Sequence, residues 1–185
     1  MFLNVHMAPG QIWDEDSRTV EQFRDGNVEA FHSLYHRYYN KVLVLAQGIV
    51  LDAEEAADIA QEVFTTVFRR INTFNGQSKF STWLYRVTVN RAIQSSRSRK
   101  GKGWLELKEG VHDSIVAAPD LPDTQVSQAL ARLSTADRAI LTLFYWEELS
   151  LQEIAQSMDC NENAAKTRLF RARERFRKVY EEVGA

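Results

Sequence analysis

Chain breakers constrain this fold more than any other feature of the sequence. The three prolines are Pro9, Pro119 and Pro122, and the glycines number only eight. Two proline-free tracts result, roughly 20–100 and 126–183. Proline removes a backbone donor and pushes the residue before it out of helical geometry, so its absence over such lengths favours helices. The apolar spacing agrees. After the turn signal Asp25-Gly26, a helix starts near Asn27, with Phe31, Leu34, Tyr35, Tyr38, Val42 and Leu45 at helical intervals. Asp52 can cap a second helix whose first turn carries Glu54 and Glu55, where the macrodipole favours anions. Ile59, Val63, Val67 and Ile71 form its stripe, widened by Phe64 and Phe68. Asn75-Gly76 ends it. A third helix runs from about Ser81 through Trp83, Leu84, Val87 and Ile93.

Residues 101–125 hold Gly101, Gly103, Gly110, Pro119 and Pro122 without a sustained period. That is long for a loop inside one domain, so the segment reads as a linker. Helical spacing returns with Val126, Leu130, Leu133, Ile140, Leu141 and Phe144. Ser150 and Glu153 then make a capping box, flanked by Leu149 and Ile154 as a hydrophobic staple. A short helix over 151–158, a polar turn at 159–161 with Asn161 as N-cap, and a longer helix to about Glu182 form a helix-turn-helix pattern. Ala165, Leu169, Ala172, Phe176 and Val179 share the inner face of that last helix. Asn163, Lys166, Thr167, Phe170 and Arg171 point outward, and such residues in the N-terminal half of a recognition helix suit base edges, thymine methyls and phosphates. Arg173, Arg175, Arg177 and Lys178 add general positive charge.

The chain has a formal net charge of −2, yet no acidic residue occurs from Lys79 to Trp104. Lys79, Arg86, Arg91, Arg97, Arg99, Lys100 and Lys102 go unanswered locally. If all of them met phosphates, this segment would give a log–log salt slope of roughly −6. Trp83 and Phe80 stand at the head of this basic helix, and Trp83, Arg86 and Asn90 share one face. Unstacking a base-pair step costs about 1.4 kcal/mol, and an aromatic platform returns about 1–3 kcal/mol per stacked base. The alternative reading makes Trp83 a core residue. By contrast, Asp52, Glu54, Glu55, Asp58 and Glu62 make the polar side of the 52–71 helix negative, which suits a basic protein groove or plain solvent but not DNA.

Other chemistries find little support. No apolar run nears the roughly 18 residues that span a bilayer, and the N-terminus lacks the pattern of a secretory signal. Cys160 is the only cysteine, so no intrachain disulfide forms and a cytoplasmic location is expected. His32 and His36 lie one turn apart without the glutamate of a zinc-protease motif. Glu29/His32 and Glu109/His112 have di-iron spacing, but the second pair falls in the linker. No glycine-rich phosphate loop is present. No cofactor, no metal and no enzymatic activity are expected.

Taken in order, three segments resemble a bacterial RNA polymerase sigma factor of the extracytoplasmic-function group. DAEEAADIAQEVFTTVFRRI (52–71) resembles the region 2.2 helix, FSTWLYRVTVNRAI (80–93) the region 2.3–2.4 segment, and SLQEIAQSMDCNENAAKTRLFRARERF (150–176) region 4.2. The resemblance implies an all-α chain of two small helical domains joined by a flexible linker. Residues 1–19 are an N-terminal extension open to disorder, 20–100 are region 2, 101–125 the linker and 126–185 region 4. It implies that Asp58, Gln61, Glu62 and Thr65 meet the clamp helices of the largest subunit of the polymerase core. Asn75, Lys79, Phe80, Trp83, Arg86, Asn90, Arg91, Arg97, Arg99 and Lys100 would read and melt the minus-ten element of promoter DNA, with the 74–79 loop resembling one that captures a flipped base. Asn163, Lys166, Thr167, Phe170 and Arg171 would read the minus-thirty-five element. An anti-sigma partner is implied too, and membrane insertion is not. The family's recognition helix usually opens with a Gly-Thr-Val-like run; here Asn163-Ala164-Ala165 stand in its place, so the minus-thirty-five preference does not carry over. A stand-alone helix-turn-helix regulator is the competing reading, and it leaves 52–104 without a task.

Overall fold

In the computed structural model, which describes residue 12, residues 14–106 and 124–184, with side chains 99–106 excepted, every described element is helical. The organising helix is α2, Val28–Val50. Asn27 caps it by accepting from the Glu29 N–H at 3.0 Å. Leu51 ends it in the left-handed region at φ 60, with its N–H on the Gln47 carbonyl at 2.8 Å. A bulky residue rarely takes that conformation. Leu51 accepts it because the chain must reverse there into α3, Ala53–Arg70. Asp52 caps α3 through the Glu55 N–H at 2.9 Å. Glu54 and Glu55 sit in its first turn and Arg69 and Arg70 in its last, both signs favoured by the dipole.

A short 3-10 turn, Ile71–Thr73, leads through the 74–79 loop into α4, Phe80–Glu106. This helix passes through Gly101 and Gly103, where the sequence reading starts its linker. A glycine costs a helix only about 1 kcal/mol against alanine, and no proline stands between 80 and 106 to stop it. Linker residues 107–123 lie outside the described ones. Beyond them come α5 (Thr124–Ala131), α6 (Thr135–Tyr145), α7 (Leu151–Ser157) and α8 (Glu162–Gly184). The capping box forms as expected: the Glu153 N–H donates to Ser150 Oγ at 3.3 Å while the Ser150 N–H donates to the Glu153 carboxylate at 3.0 Å. Asn161 caps α8 through the Ala164 N–H at 2.8 Å.

An additional helix precedes those expected: α1, Ser17–Arg24, buries Val20 and Phe23 against α2. Two apolar residues three apart are too few to show a period, which is why the sequence does not announce it. Its start is tied down. Asp16 is buried and accepts hydrogen bonds from the Tyr38 hydroxyl and the Arg37 guanidinium, both on α2. Burial raises the Asp16 carboxyl above its ordinary range, against the opposing pull of Tyr38 and Arg37. The stability that Asp16 contributes is therefore fullest at low pH and declines as pH rises through that raised pKa.

One continuous core runs through both halves of the chain. It includes Leu34, Val42, Leu45, Ile59, Val63, Phe80 and Leu84 on one side and Ile140, Leu143, Ile154, Leu169 and Ala172 on the other. The halves meet where α2 crosses α6. A Cβ on Gly48 would lie 2.7 Å from Thr142 Oγ1, so only glycine permits this approach. Alongside, Arg138 Nε donates to the Ile49 carbonyl at 2.6 Å, answering an acceptor at the C-terminal end of α2. Contacts of α4 with α6 and α7 complete the junction.

Tyr38→Phe removes a donor from a buried carboxylate. The expected loss is about 1.5–3 kcal/mol of folding stability, the range for hydrogen bonds to charged groups. Chemical denaturation of the variant against the parent measures it, and an unchanged midpoint would refute the role given to Tyr38.

Candidate nucleic-acid interface

The first candidate surface is built by the 74–79 loop and the first turns of α4. Its base is aromatic: Phe74 and Trp83 have ring centroids 5.5 Å apart, and Phe80 and Trp83 5.9 Å. Here one expectation fails. Phe80 is fully buried, packed on Tyr38 and Phe74, and cannot stack on a base. It stands four residues before the buried Leu84, on the core face of the helix, whereas Trp83 lies on the boundary and is half-buried. Asn75 is exposed at the loop tip and accepts from the Gln77 N–H at 3.1 Å.

The N-terminal segment braces this loop, which the sequence did not foretell. The Phe80 N–H, in the first turn of α4, donates to Asp14 at 3.3 Å. The Ile12 N–H donates to the Gly76 carbonyl at 2.8 Å. Arg24 donates to the Ile71 carbonyl at 3.4 Å and to the Phe74 carbonyl, and lies 5.7 Å from the Phe74 ring centre. Two carbonyls of the loop, with the Ile71 carbonyl before it and the Phe80 N–H after it, are thus held from residues 12–24.

Three basic residues at and beyond the start of α4, Lys79, Arg86 and Arg91, are answered by carboxylates far away in sequence. Lys79 Nζ lies 2.7 Å from Glu153, which is 74 positions away. Arg86 lies 3.0 Å from Asp159, and Arg91 pairs with Glu62 of α3. The Tyr85 hydroxyl donates to Glu147 at 2.5 Å. The hydrogen bond it donates to Glu153 raises the pKa of the Lys79 ammonium. Burial pushes the Glu153 carboxyl up, but hydrogen bonds from Lys79 and Ser150 outweigh it and leave it below its ordinary range. Burial raises Glu147, only partly offset by the Tyr85 hydroxyl and the Lys41 charge. Asn90 and Arg97 are exposed on the same helix, while the side chains of Arg99 and Lys100 lie outside those described.

The second surface is the N-terminal half of α8. Ala165, Leu169 and Ala172 are buried, as the periodicity requires. Asn163, Lys166, Thr167, Phe170 and Arg171 are all exposed, Phe170 at 64%. A large apolar ring left in water beside two cations is a surface suited to a thymine methyl and neighbouring phosphates. Further along α8 the charge is not general. Arg175 donates to Asp137 of α6 from Nε at 2.9 Å and from Nη2 at 2.5 Å. Arg173 lies 4.5 Å from the Phe144 ring centre, and Arg177 pairs with Glu174. Arg173 and Arg175 hold α8 to α6, so they are structural cations.

The third surface is acidic. Asp58, Gln61, Glu62 and Thr65 are exposed along α3, and the Thr65 hydroxyl donates to the Gln61 carbonyl at 2.9 Å. Glu62 is shared with Arg91, so the acidic and basic surfaces join along that edge. Among the described residues, no His, Cys, Asp and Glu gather in a group of three or more able to hold a metal. Cys160 is half-buried against the core. No described helix is long and apolar enough to cross a membrane.

Comparison with known proteins follows the same division of the chain. Residues 34–102 match the family described as Sigma-70 region 2, and residues 123–176 the family described as Sigma-70, region 4. The RNA polymerase sigma-H factor of Pseudomonas aeruginosa is 34% identical over 90% of this chain and 94% of its own. The ECF RNA polymerase sigma factor SigW of Bacillus subtilis is 32% identical over 87% and 94%. Among solved structures, the sigma factor RpoE of Bartonella quintana, in complex with the anti-sigma factor NepR, has the same fold at a TM-score of 0.64, 19% identity, and coverage of 82% of this chain and 96% of that one. CnrH in complex with the cytosolic domain of CnrY gives 0.67 at 18% identity, covering 91% and 99%. With both regions in order along one all-α chain and relatives above 30% identity over nearly its whole length, the protein belongs to the sigma-70 family, in its extracytoplasmic-function group.

Proposed function

We propose that this protein is an alternative sigma factor whose two helical halves read the two promoter elements while α3 docks on RNA polymerase core. The observation that carries this is the ordered pair of matches, region 2 on 34–102 and region 4 on 123–176. A stand-alone helix-turn-helix regulator would account only for the second. Sigma factors are initiation factors, not enzymes, and the reading places the protein in the cytoplasm with its polymerase. An anti-sigma partner is part of the reading as well, supported by the solved structure of RpoE with the anti-sigma factor NepR.

Within that frame we assign residues by geometry. Residues 20–100 form region 2, although α1 and its Asp16 anchor belong to the same packed unit. Residues from 126 on form region 4, with α5 starting two residues earlier, and the connection narrows from 101–125 to 107–123 because α4 runs to Glu106. Trp83 is the stacking platform, supported from below by Phe74 and Phe80. Lys79, Arg86, Arg91 and Arg97 supply phosphate contacts and counterion release. Asn75 and Asn90 offer hydrogen bonds to unpaired bases. On α8, Lys166 and Arg171 contact phosphates or guanine edges, Asn163 and Thr167 other edges, and Phe170 a thymine methyl. Asp58, Gln61, Glu62 and Thr65 face the clamp helices.

The overall reading is tested by transcription from promoter libraries with and without core enzyme. Promoter-selective initiation is expected only with core, and its absence on every template would end the proposal. Trp83→Ala is expected to lose about 1–3 kcal/mol of strand affinity and to impair opening more than initial duplex binding, as permanganate footprinting against gel-shift titration would show; equal losses would count against the platform. Lys166→Ala and Arg171→Ala should each cost about 1–3 kcal/mol where they meet base edges, read as weaker discrimination at minus thirty-five. Asp58→Arg should lower the fraction of holoenzyme formed on size-exclusion chromatography, and normal assembly would reject α3 as the docking helix.

A further inference from the structure

The 74–79 loop joins the C-terminal end of α3 and its 3-10 turn to the N-terminal end of α4. Two helix ends of opposite polarity therefore flank it. The last carbonyls before it carry partial negative charge, and the first N–H groups after it partial positive charge. Each end receives the opposite charge from residues at the two ends of α1. Arg24, the last residue of α1, donates from Nη2 to the Ile71 carbonyl at 3.4 Å and to the Phe74 carbonyl, and its guanidinium lies 5.7 Å from the Phe74 ring centre. Just before α1, one carboxylate oxygen of Asp14 accepts from the Phe80 N–H at 3.3 Å. The other accepts from the Ser17 hydroxyl at 2.9 Å and the Asp16 N–H at 3.1 Å. The helix between them is held independently of these bonds, by Val20 and Phe23 in the core and by Asp16 on Tyr38 and Arg37.

Between the two grips the loop alternates. Phe74 and Gly76 are buried, while Asn75 and Gln77 are exposed. Gly76 takes φ +72, where side chains are rarely found, and its carbonyl accepts from the Ile12 N–H at 2.8 Å. The carbonyls of the residues on both sides of Asn75 are therefore held from the N-terminal segment. The Asn75 amide oxygen accepts from the Gln77 N–H at 3.1 Å, so the amide donors are what an acceptor on a base would meet. Resting on the reading of Asn75 as a contact to an unpaired minus-ten base, we propose that Arg24 and Asp14 are positioning residues for that base, setting the loop backbone that aims Asn75. Both lie before residue 34, where the match to Sigma-70 region 2 begins, so the promoter-reading device extends beyond the matched segment. A hydrogen bond discriminates between bases only when its donor is held within about 0.5 Å of one place; a loop that shifts finds an acceptor on more than one base. Loosening the grip therefore costs preference rather than affinity, because phosphate contacts and stacking supply most of the affinity.

The test uses holoenzyme assembled from the full-length chain and core. Its probes are duplex fragments of the promoter recovered by core-dependent transcription, substituted in turn at each minus-ten position. Asn75→Ala first identifies the position at which base preference is lost. Arg24→Met keeps an apolar stem beside Phe74 and removes the donors, whereas Arg24→Lys keeps a cation and a donor. Arg24→Met should lower the preference at that one position about tenfold, within the range of a single well-placed base contact. Preferences at the other minus-ten positions and at minus thirty-five should stay as in the parent. Arg24→Lys should recover most of the loss, and Asp14→Ala should lower preference at the same position. A loss spread evenly over all bases, or an Arg24→Met chain that fails to assemble with core, would make Arg24 a folding residue and overturn the proposal. So would an unchanged preference at the position set by Asn75. If Asn75→Ala alters preference nowhere, the reading of the loop falls first and the proposal with it. If no promoter is recovered, the sigma-factor reading itself falls.

Discussion

The fold depends on helix α2 being buried on more than one side. Leu34, Val42, Leu45, Ala46, Ile49 and Val50 are all out of solvent, and α1, α3, α4 and α6 pack around them. An ordinary surface helix has one apolar stripe; α2 has a continuous apolar wrap towards its C-terminal end. The decisive position there is Gly48, where a missing side chain lets Thr142 of the other half come close. The halves also pack where α7 and α6 lie against α4. Arg138 reaches the Ile49 carbonyl, α7 is brought over the start of α4, and the carboxylates of one half reach the cations of the other.

Local signals were legible. The capping box at Ser150 and Glu153, the caps at Asp52 and Asn161, and the inward face of α8 involve residues within a few positions of one another, and their physics is complete within one turn of helix. Phe80 departs from the expectation for a physical reason. An aromatic residue at the start of a basic helix suits a stacking platform and a core equally well, so composition cannot decide. Spacing decides it: Phe80 and Leu84 are one turn apart, share a face, and are both fully buried. The short α1 and the brace from Asp14 and Arg24 were beyond reach, because neither an eight-residue helix nor a carboxylate 66 positions from its partner leaves a periodic trace.

Charge pairing is legible only in the fold. A stretch without acidic residues looks like an unneutralised field only if neighbours in sequence are the sole candidates for pairing. In the folded chain Lys79, Arg86 and Arg91 each find a carboxylate, two of them from the opposite half. The same holds on α8, where Arg175 is committed to Asp137 and Arg173 to an aromatic pair. What separates a structural cation from one kept for a ligand is the permanence of its partner. Arg175 binds a carboxylate in two places and within its own half. Lys79 and Arg86 bind carboxylates singly, across the junction of the halves, with their own side chains about half exposed.

Glu153 shows how one carboxylate can join local and distant order. It completes the N-terminal cap of α7 through Ser150, a bond made within one turn of helix, and it also receives Lys79 from the far half of the chain. The first bond is fixed by a spacing of three residues and is legible as a capping box; the second depends on α7 being laid over the start of α4 and leaves no trace in the sequence. Because Lys79 is exposed, that second bond contributes little to stability, and the packing of α7 on α4 and of α6 on α2 carries the junction.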